Sequence, residues 1–183
     1  MDREKLQFNK YFTQYLCNNL RKIPGTLLKN SYIRSYNCSS TLQLSGETLI
    51  STRCKNRFCL YCNRIRTAEL ITLYLDSISK LDNPFFLTLT IPNCSGKDLS
   101  YMIDLMSKNF LNCKKYLERK GFRLFGMRKI EVTYNPTNNT YHPHFHLIVD
   151  GGFCCEILVK KWLNLFPEAN RSAQHYLVAD ISS

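Results

Sequence analysis

The alternation of apolar and polar residues in the second half of the chain restricts the fold more than any other feature. Strand-type alternation covers 85–91, 122–134 and 141–149, and a last strand is expected at 175–181. Helical patterns occupy 98–119, closed by Gly121, and 154–166. The resulting order, β-α-β-β-α-β, predicts an α+β fold: an antiparallel sheet with helices on one face, the other face open, and its first and third strands adjacent at the centre.

Alternation also assigns each strand residue to one face of the predicted sheet, because neighbouring side chains point to opposite sides. The apolar set should face the helices and form the core: Phe85, Leu87, Leu89, Ile91, Ile130, Val132, Phe145, Leu147 and Val149. The opposite parity places polar side chains on the open face: Thr88, Thr90, Lys129, Glu131, Thr133, His144 and His146. Three strands therefore direct their polar residues to one surface.

A short loop, PTNN at 136–139, sets the register of the second and third strands. With that loop, Glu131 lies directly opposite His144, with their Cβ atoms about 5 Å apart. Two imidazoles two residues apart, His144 and His146, together with the facing carboxylate can bind one divalent cation and leave positions open for substrate. His142 shares their parity and is a spare ligand, and the alternative is a polar sheet face without a metal.

Four cysteines in the first half have the spacing of a structural metal site. Cys54, Cys59 and Cys62 stand in RCKNRFCLYC, and Cys38 lies upstream across a predicted hairpin, LQLSGETLI. Four thiolates complete a tetrahedral zinc site, and buried unliganded thiols are the alternative. The adjacent arginines, among them Arg57 and Arg64, make this segment suited to a DNA backbone.

The rest of the first half predicts an N-terminal amphipathic helix at 3–22, ended by Pro24-Gly25, an irregular segment at 26–62 and a helix from Arg64 to about Lys80. We predict two domains: 1–80, with the helix and the cysteine segment, and 81–183, with the sheet. The N-terminus has no apolar signal region and no segment is apolar enough for a membrane span, which makes the cytoplasm the expected compartment. A reducing compartment favours metal thiolates over disulfides.

Charge narrows the class of partner. The chain carries 25 Lys and Arg against 14 Asp and Glu, a net charge of +11. A cationic surplus spread along a folded chain favours polyanionic partners, because neutralising phosphates releases counterions.

Two motifs and the cysteine spacing together resemble the plasmid rolling-circle replication initiators of the Rep type 1 family, which carry a His-hydrophobe-His metal motif. FLTLTIPN (86–93) is similar to the first family motif and YHPHFHLIV (141–149) to the second, and the similarity covers roughly 38–181. The resemblance implies nicking and strand transfer on single-stranded or hairpin origin DNA. It implies Mg²⁺ or Mn²⁺ bound by His144, His146 and Glu131, and DNA contacts from Thr88, Thr90, Asn93 and Lys129 beside those of Arg57 and Arg64.

In that family the nucleophile is a tyrosine on a helix after the final strand. The sequence ends at VADISS, where that helix should begin, so the resemblance places the nucleophile after Ser183. Tyr176 belongs to the predicted last strand, and we interpret it as a structural aromatic that shares an open-face parity with Val178 and Asp180. Phe86 is a candidate stacking platform for an unpaired base.

Three other functions fit parts of the pattern. A related transposase or conjugative relaxase would share the metal chemistry and differ in its C-terminal tyrosines. A non-catalytic DNA- or RNA-binding module would display aromatics rather than histidines on the sheet. A zinc-ribbon regulatory protein is disfavoured because the spaced cysteines occupy only one end of the chain.

Overall fold

The computed structural model describes residues 3–180. The chain divides into two compact units, Met1–Leu73 and Tyr74–Ser183. The first unit is mainly helical and carries the cysteine segment, and the second contains the large sheet. The predicted domain boundary between residues 80 and 81 stays a prediction.

The first unit is built from helices and one small hairpin. Its elements are α1 (Arg3–Leu20), α2 (Lys29–Tyr36), β1 (Leu42–Ser45), β2 (Thr48–Ser51) and α3 (Leu60–Ser79), whose last residues pass into the second unit. The N-terminal helix, the hairpin and the helix that follows the cysteines agree with the sequence analysis.

Helix α2 lies in the segment 26–62, which was predicted to be irregular. Its sequence, KNSYIRSY, has few apolar residues, and its stability comes from contacts outside the helix. Tyr32 packs against Phe58, with ring centroids 5.1 Å apart. Asn56 Nδ2 donates to the Ser31 carbonyl at 2.9 Å and to Ser35 Oγ at 2.7 Å. These partners are distant in sequence, so local periodicity could not predict the helix.

The second unit is a four-stranded antiparallel sheet with helices on one face. Its elements are β3 (Pro84–Thr90), α4 (Leu99–Arg119), β4 (Gly126–Asn135), β5 (Thr140–Asp150), α5 (Gly152–Leu165), a short 3-10 turn (Arg171–Ala173) and β6 (His175–Val178). The strand order β4-β5-β3-β6 puts β3 and β5 side by side at the centre. The predicted topology is confirmed, and residue 181 of the predicted last strand lies outside the described residues.

The core lies between the sheet and helices α4 and α5. The central strands contribute side chains that are at most 2% exposed: Leu87, Leu89, Phe145, Leu147 and Val149. The helices contribute Met106, Leu117, Leu158 and Trp162, each fully buried. Phe145 packs edge-on against Phe110 and Trp162, at 5.7 and 5.9 Å between ring centroids. The predicted core of the central strands is confirmed.

Strand β4 departs from the predicted core. Ile130 and Val132 lie on the predicted face but are each 40% exposed, so their assignment to the core is wrong. β4 is an edge strand, and the helices pack on β3, β5 and β6. The Arg128 guanidinium lies over the rings of Phe110 and Phe145, 4.6 and 4.4 Å from their centroids, and covers the core where a helix does not.

Strand β6 also differs from its predicted orientation. Tyr176 pairs with Leu87, so its side chain is on the helix-covered face, where its ring centroid lies 6.4 Å from that of Phe85. The prediction that Tyr176 has open-face parity is therefore wrong. The register pairs Thr88 with His175, and His175 instead occupies the open face.

Candidate metal centre and open sheet face

Three ligand atoms from two neighbouring strands converge on the open face. Glu131 of β4 lies opposite His144 of β5, as predicted from the hairpin loop. His144 Nε2 and His146 Nε2 are 3.1 Å apart. Glu131 Oε2 lies 3.6 Å from the first of these nitrogens and 3.5 Å from the second. The three predicted ligands thus form one compact group.

The other nitrogen of each imidazole is held by a hydrogen bond, which fixes the ring. His144 Nδ1 donates to the His142 carbonyl oxygen at 3.1 Å. Because a carbonyl only accepts, this bond leaves the lone pair of His144 on Nε2, toward the group. His146 Nδ1 lies 3.2 Å from Thr88 Oγ1, which can accept a hydrogen bond from this nitrogen in the same way. Such outer hydrogen bonds are the usual means of orienting metal-binding histidines.

The electrostatics of the group favour the protonation states that a cation requires. A hydrogen bond from Lys129 lowers the pKa of Glu131, and the positive charge of that lysine acts in the same direction. Burial lowers the pKa of His146, and the nearby His144 lowers it further. A charged carboxylate beside a neutral imidazole is the form that binds metal.

The donor set fits a divalent cation. Adjacent ligands of an octahedral ion bound at about 2.1 Å are about 3 Å apart, close to the observed separations of 3.1 to 3.6 Å. Imidazole nitrogens with a carboxylate oxygen are donors for first-row divalent metals, and the carboxylate also suits Mg²⁺ and Mn²⁺. Glu131 and His146 are partly exposed, which leaves one side of the group accessible.

A row of side chains crosses all four strands beside the group. Lys129 pairs with His146, His146 with Thr88, and Thr88 with His175. Lys129 and His175 are exposed at the two ends. The position of His175 could not be predicted from the sequence, because no short hairpin loop joins β6 to β3 and fixes its register.

Thr90 shares the face of His144 but is covered. It is 6% exposed, which corrects the expectation of an accessible hydroxyl. The Gln174 side chain accepts a hydrogen bond from the Thr90 backbone N–H at 2.8 Å and donates one to Thr90 Oγ1 at 3.0 Å. This side chain thus takes the place of a backbone partner for Thr90 at the end of the pairing between β3 and β6. Trp162 Nε1 donates to the Thr90 carbonyl at 2.8 Å from the other side.

Asn93 and His142 are joined to each other rather than to the three-ligand group. The loop after β3 pairs with the start of β5 through Cys94 and Tyr141. This pairing places Asn93 Oδ1 2.9 Å from His142 Nδ1. The His142 ring lies 5.4 Å from that of His144, yet His142 is not part of the converging ligand set.

An apolar row borders the group on its other side. Phe86 pairs with Ile148 and with Leu177, and Ile148 pairs with Met127. The Phe86 ring stacks on His146, with centroids 5.1 Å apart and planes at 29°. The accessible edge of the ligand group therefore adjoins a partly exposed aromatic surface.

The four predicted zinc ligands meet in the first unit. Cys38, Cys54, Cys59 and Cys62 are all buried, and their sulfurs lie within 4.8 Å of one another. Cys62 Sγ is 3.4 Å from Cys38 Sγ and 3.6 Å from Cys54 Sγ. A tetrahedral zinc ion at about 2.3 Å from each sulfur gives separations of about 3.8 Å, so the donor set fits that ion.

Backbone and charge also fit a thiolate site. The N–H groups of Cys54, Lys55 and Asn56 point at cluster sulfurs at 3.4 to 3.5 Å. Burial raises the pKa of Cys62 to about 11, and neighbouring thiols contribute to that rise. A bound cation would therefore be required to keep all four sulfurs as thiolates. Arg57 and Arg64 are exposed in this unit.

Within residues 3–180, no helix is both long and apolar enough to cross a lipid bilayer. The described part of the chain is thus an α+β protein with two groups that could hold a metal ion, one of thiols and one of imidazoles with a carboxylate.

Comparison with known proteins identifies the family. The model of the replication protein family Rep_1 matches residues 48–181, most of the chain. The chain therefore belongs to this replication protein family, as the two motifs predicted.

Several curated relatives carry the name Protein rep. One from Staphylococcus aureus is 30% identical over 156 residues, which cover 80% of this chain and 66% of the relative. Another, from Streptococcus pneumoniae serotype 2, is 32% identical over 103 residues, 52% of this chain and 32% of that protein. The chain thus spans about two thirds of the length of the first relative and about a third of the length of the second. No solved structure matches it significantly.

Proposed function

We propose that this protein initiates rolling-circle replication by nicking and strand transfer on single-stranded or hairpin origin DNA. The observation that carries the proposal is the convergence of Glu131, His144 and His146 on the open sheet face of a member of a replication-initiator family. These three side chains would hold Mg²⁺ or Mn²⁺. When bound, such an ion polarises a phosphate and stabilises the negative charge that develops on it.

The residues around the group prepare it for that task. The His142 carbonyl and the Thr88 hydroxyl hold the two rings with Nε2 directed at the group. Lys129 forms an ion pair with Glu131 and lies opposite His146 on the neighbouring strand. It therefore adds a positive charge next to the position that a phosphate on the metal would occupy. We assign Lys129 a direct role in DNA binding for this reason.

The open face supplies a path for an unpaired strand. Phe86, stacked on His146, presents a ring on which a base next to the reacting phosphate can stack. Asn93 extends the polar surface from the other side of the histidines through its contact with His142. Arg57 and Arg64 are proposed to bind DNA from the first unit, where a structural zinc ion bound by the four cysteines would hold the loop.

The chemical step is proposed to follow the family reaction. A tyrosine hydroxyl attacks the phosphorus, an O–P bond to the tyrosine forms, and the bond to the 3′ oxygen breaks and releases a 3′ hydroxyl. Tyr176 is not assigned this role, because it packs on the helix-covered face with Phe85 and Leu87. The relatives are longer than the region that this chain matches. We propose that the attacking tyrosine belongs to the part of the family's length that residues 1–183 do not cover.

Coupling between metal and DNA tests this function. We expect Mn²⁺ to strengthen binding of a labelled single-stranded origin oligonucleotide about tenfold, since metal and phosphate would share one site. Fluorescence anisotropy measures the affinity with and without the ion. His146→Ala should remove the increase, whereas His175→Ala, an exposed histidine on the same face, should keep it. An Mn²⁺ effect that survives in His146→Ala would contradict the proposal.

A further inference from the structure

A cationic pocket lies beside the cysteine cluster in the first unit. One wall is a face of α3, where residues three and four apart lie together, and the other is the loop that leads to the cluster. The pocket is lined by Arg53, Lys55, Cys62, Ile65, Arg66 and Glu69. It differs from the exposed positions of Arg57 and Arg64, which do not line it.

Arg66, which lines this pocket, has a hydrogen-bond donor without a partner among the described residues. Its Nη2 donates to the Lys55 carbonyl at 2.6 Å, which anchors the guanidinium. Its Nη1 is buried and has no hydrogen-bond partner among residues 3–180. A buried donor of a charged group that lacks an acceptor is costly, so this position favours an anionic or strongly polar acceptor.

The charge of the pocket points in the same direction. Three cations face one carboxylate, Glu69, whose Oε1 lies 3.4 Å from Arg53 Nη1. The two side chains of this ion pair are 40% and 64% exposed, so the pair is weak and open to competition. An incoming anion can therefore displace Glu69 from Arg53 while it also accepts from Arg66.

The backbone next to the cluster builds the pocket. Lys55 has a positive φ of 59°, a conformation that is uncommon for a residue other than glycine. In this conformation its N–H points at Cys62 Sγ at 3.4 Å and its carbonyl accepts from Arg66. The cysteine cluster thus determines where the two cations of Lys55 and Arg66 lie.

We infer that this pocket binds one phosphate group of the nucleic-acid backbone. The inference rests on the proposed function, in which DNA is the partner, and adds a defined phosphate site within the first unit. Phosphate contacts of this kind fix the position of a protein on DNA and carry no sequence information. The Arg66 guanidinium would supply the buried donor, and Arg53 and Lys55 the remaining charge.

The salt dependence of DNA binding measures this contact. We expect Arg66→Gln and Arg53→Gln to weaken binding of a single-stranded oligonucleotide and to reduce the slope of log K against log salt by about 0.7 each. Glu69→Gln should strengthen binding, because it frees Arg53. Lys22→Gln, an exposed cation just after α1, is the charge-matched control and should change both quantities less.

Zinc content and unfolding temperature, measured for every variant, separate loss of contact from loss of fold. The opposite sign expected for Glu69→Gln does not arise from misfolding. If Arg66→Gln, Arg53→Gln and Glu69→Gln all behave like Lys22→Gln, the cations serve only to balance the thiolates and the inference is overturned.

A second probe keeps this test separate from the proposed function. Inorganic phosphate titrated into the zinc-loaded protein should shift the side-chain NMR signals of Arg66 at millimolar concentration, and Arg53→Gln should weaken that shift. Such a shift supports the pocket even in a protein that fails to bind origin DNA. Unchanged Arg66 signals would overturn it, whatever the protein does with DNA.

Discussion

The two candidate metal sites of this chain are built from different kinds of structure. The cysteine cluster takes its four ligands from loops and from the first turn of α3, and every one of them is buried. The sheet site takes three ligands from two paired strands, with Glu131 and His146 partly exposed. A closed four-ligand set is typical of a structural ion, and an incomplete set on rigid strands is typical of an ion that acts on a substrate.

The cluster should be the more sensitive of the two to loss of one ligand. We expect Cys59→Ser to lower the zinc content of freshly purified, reduced protein from about one ion to nearly none and to unfold the first unit, since zinc binding is coupled to folding. Metal analysis and circular dichroism measure both. Cys17→Ser, a fully buried thiol outside the cluster, should keep the zinc. Zinc-free wild-type protein would contradict the assignment.

A substitution of one glycine in β4 should damage the sheet site and leave the cysteine cluster intact, which is the reverse of the effect expected for Cys59→Ser. Gly126 has a φ of 144°, and a Cβ there would lie 2.0 Å from the Ile148 carbonyl oxygen of β5. We expect Gly126→Ala to destabilise the second unit by roughly 3 kcal/mol, because it forces apart the strand pair that carries Glu131 and His144. Zinc content should not change.

Gly121→Ala is the matched control for that substitution. Gly121 also has a positive φ, 84°, but an added Cβ would meet no atom within 4 Å. Its cost should be limited to backbone strain of about 1 kcal/mol. Urea denaturation of both variants tests the difference, and equal destabilisation would mean that close packing on β5 is not what requires Gly126.

A smaller effect than that of Cys59→Ser or Gly126→Ala should come from an outer hydrogen bond. Thr88→Val removes the acceptor for His146 Nδ1 with little change of shape, and we expect Mn²⁺ affinity to fall about tenfold with folding unchanged. Thr88→Ser keeps the hydroxyl and should restore the affinity. Thr133→Val, a substitution in β4 on the same open face of the sheet, should have no effect. Equal Mn²⁺ affinities of Thr88→Val and the parent would show that this bond does not orient the ring.

The parts of the site that could be predicted from sequence are those set by local rules. A four-residue loop between β4 and β5 fixes the register, and alternation then brings Glu131 opposite His144. The cysteine spacing similarly identified all four members of the buried cluster. In both cases the decisive information lies within a short stretch of chain.

The predictions were wrong at positions whose environment depends on contacts with parts of the chain that are distant in sequence. Ile130 and Val132 have a core pattern, but whether a helix covers an edge strand depends on the placement of α4 and α5. The face of Tyr176 depends on the register of β6 with β3, which a long connection leaves open. Thr90 is buried by Gln174, 84 positions away, and no sequence signal marks that pair.

Calorimetric titration of Mn²⁺ into zinc-loaded protein tests the central claim, that Glu131, His144 and His146 form a metal site independent of the cysteines. We expect one site in the wild-type protein, no measurable binding in His144→Ala or His146→Ala, and unchanged zinc content in both. His175→Ala should bind as the wild type does. Undiminished Mn²⁺ binding by the two ligand variants, or loss of zinc along with it, would contradict the account.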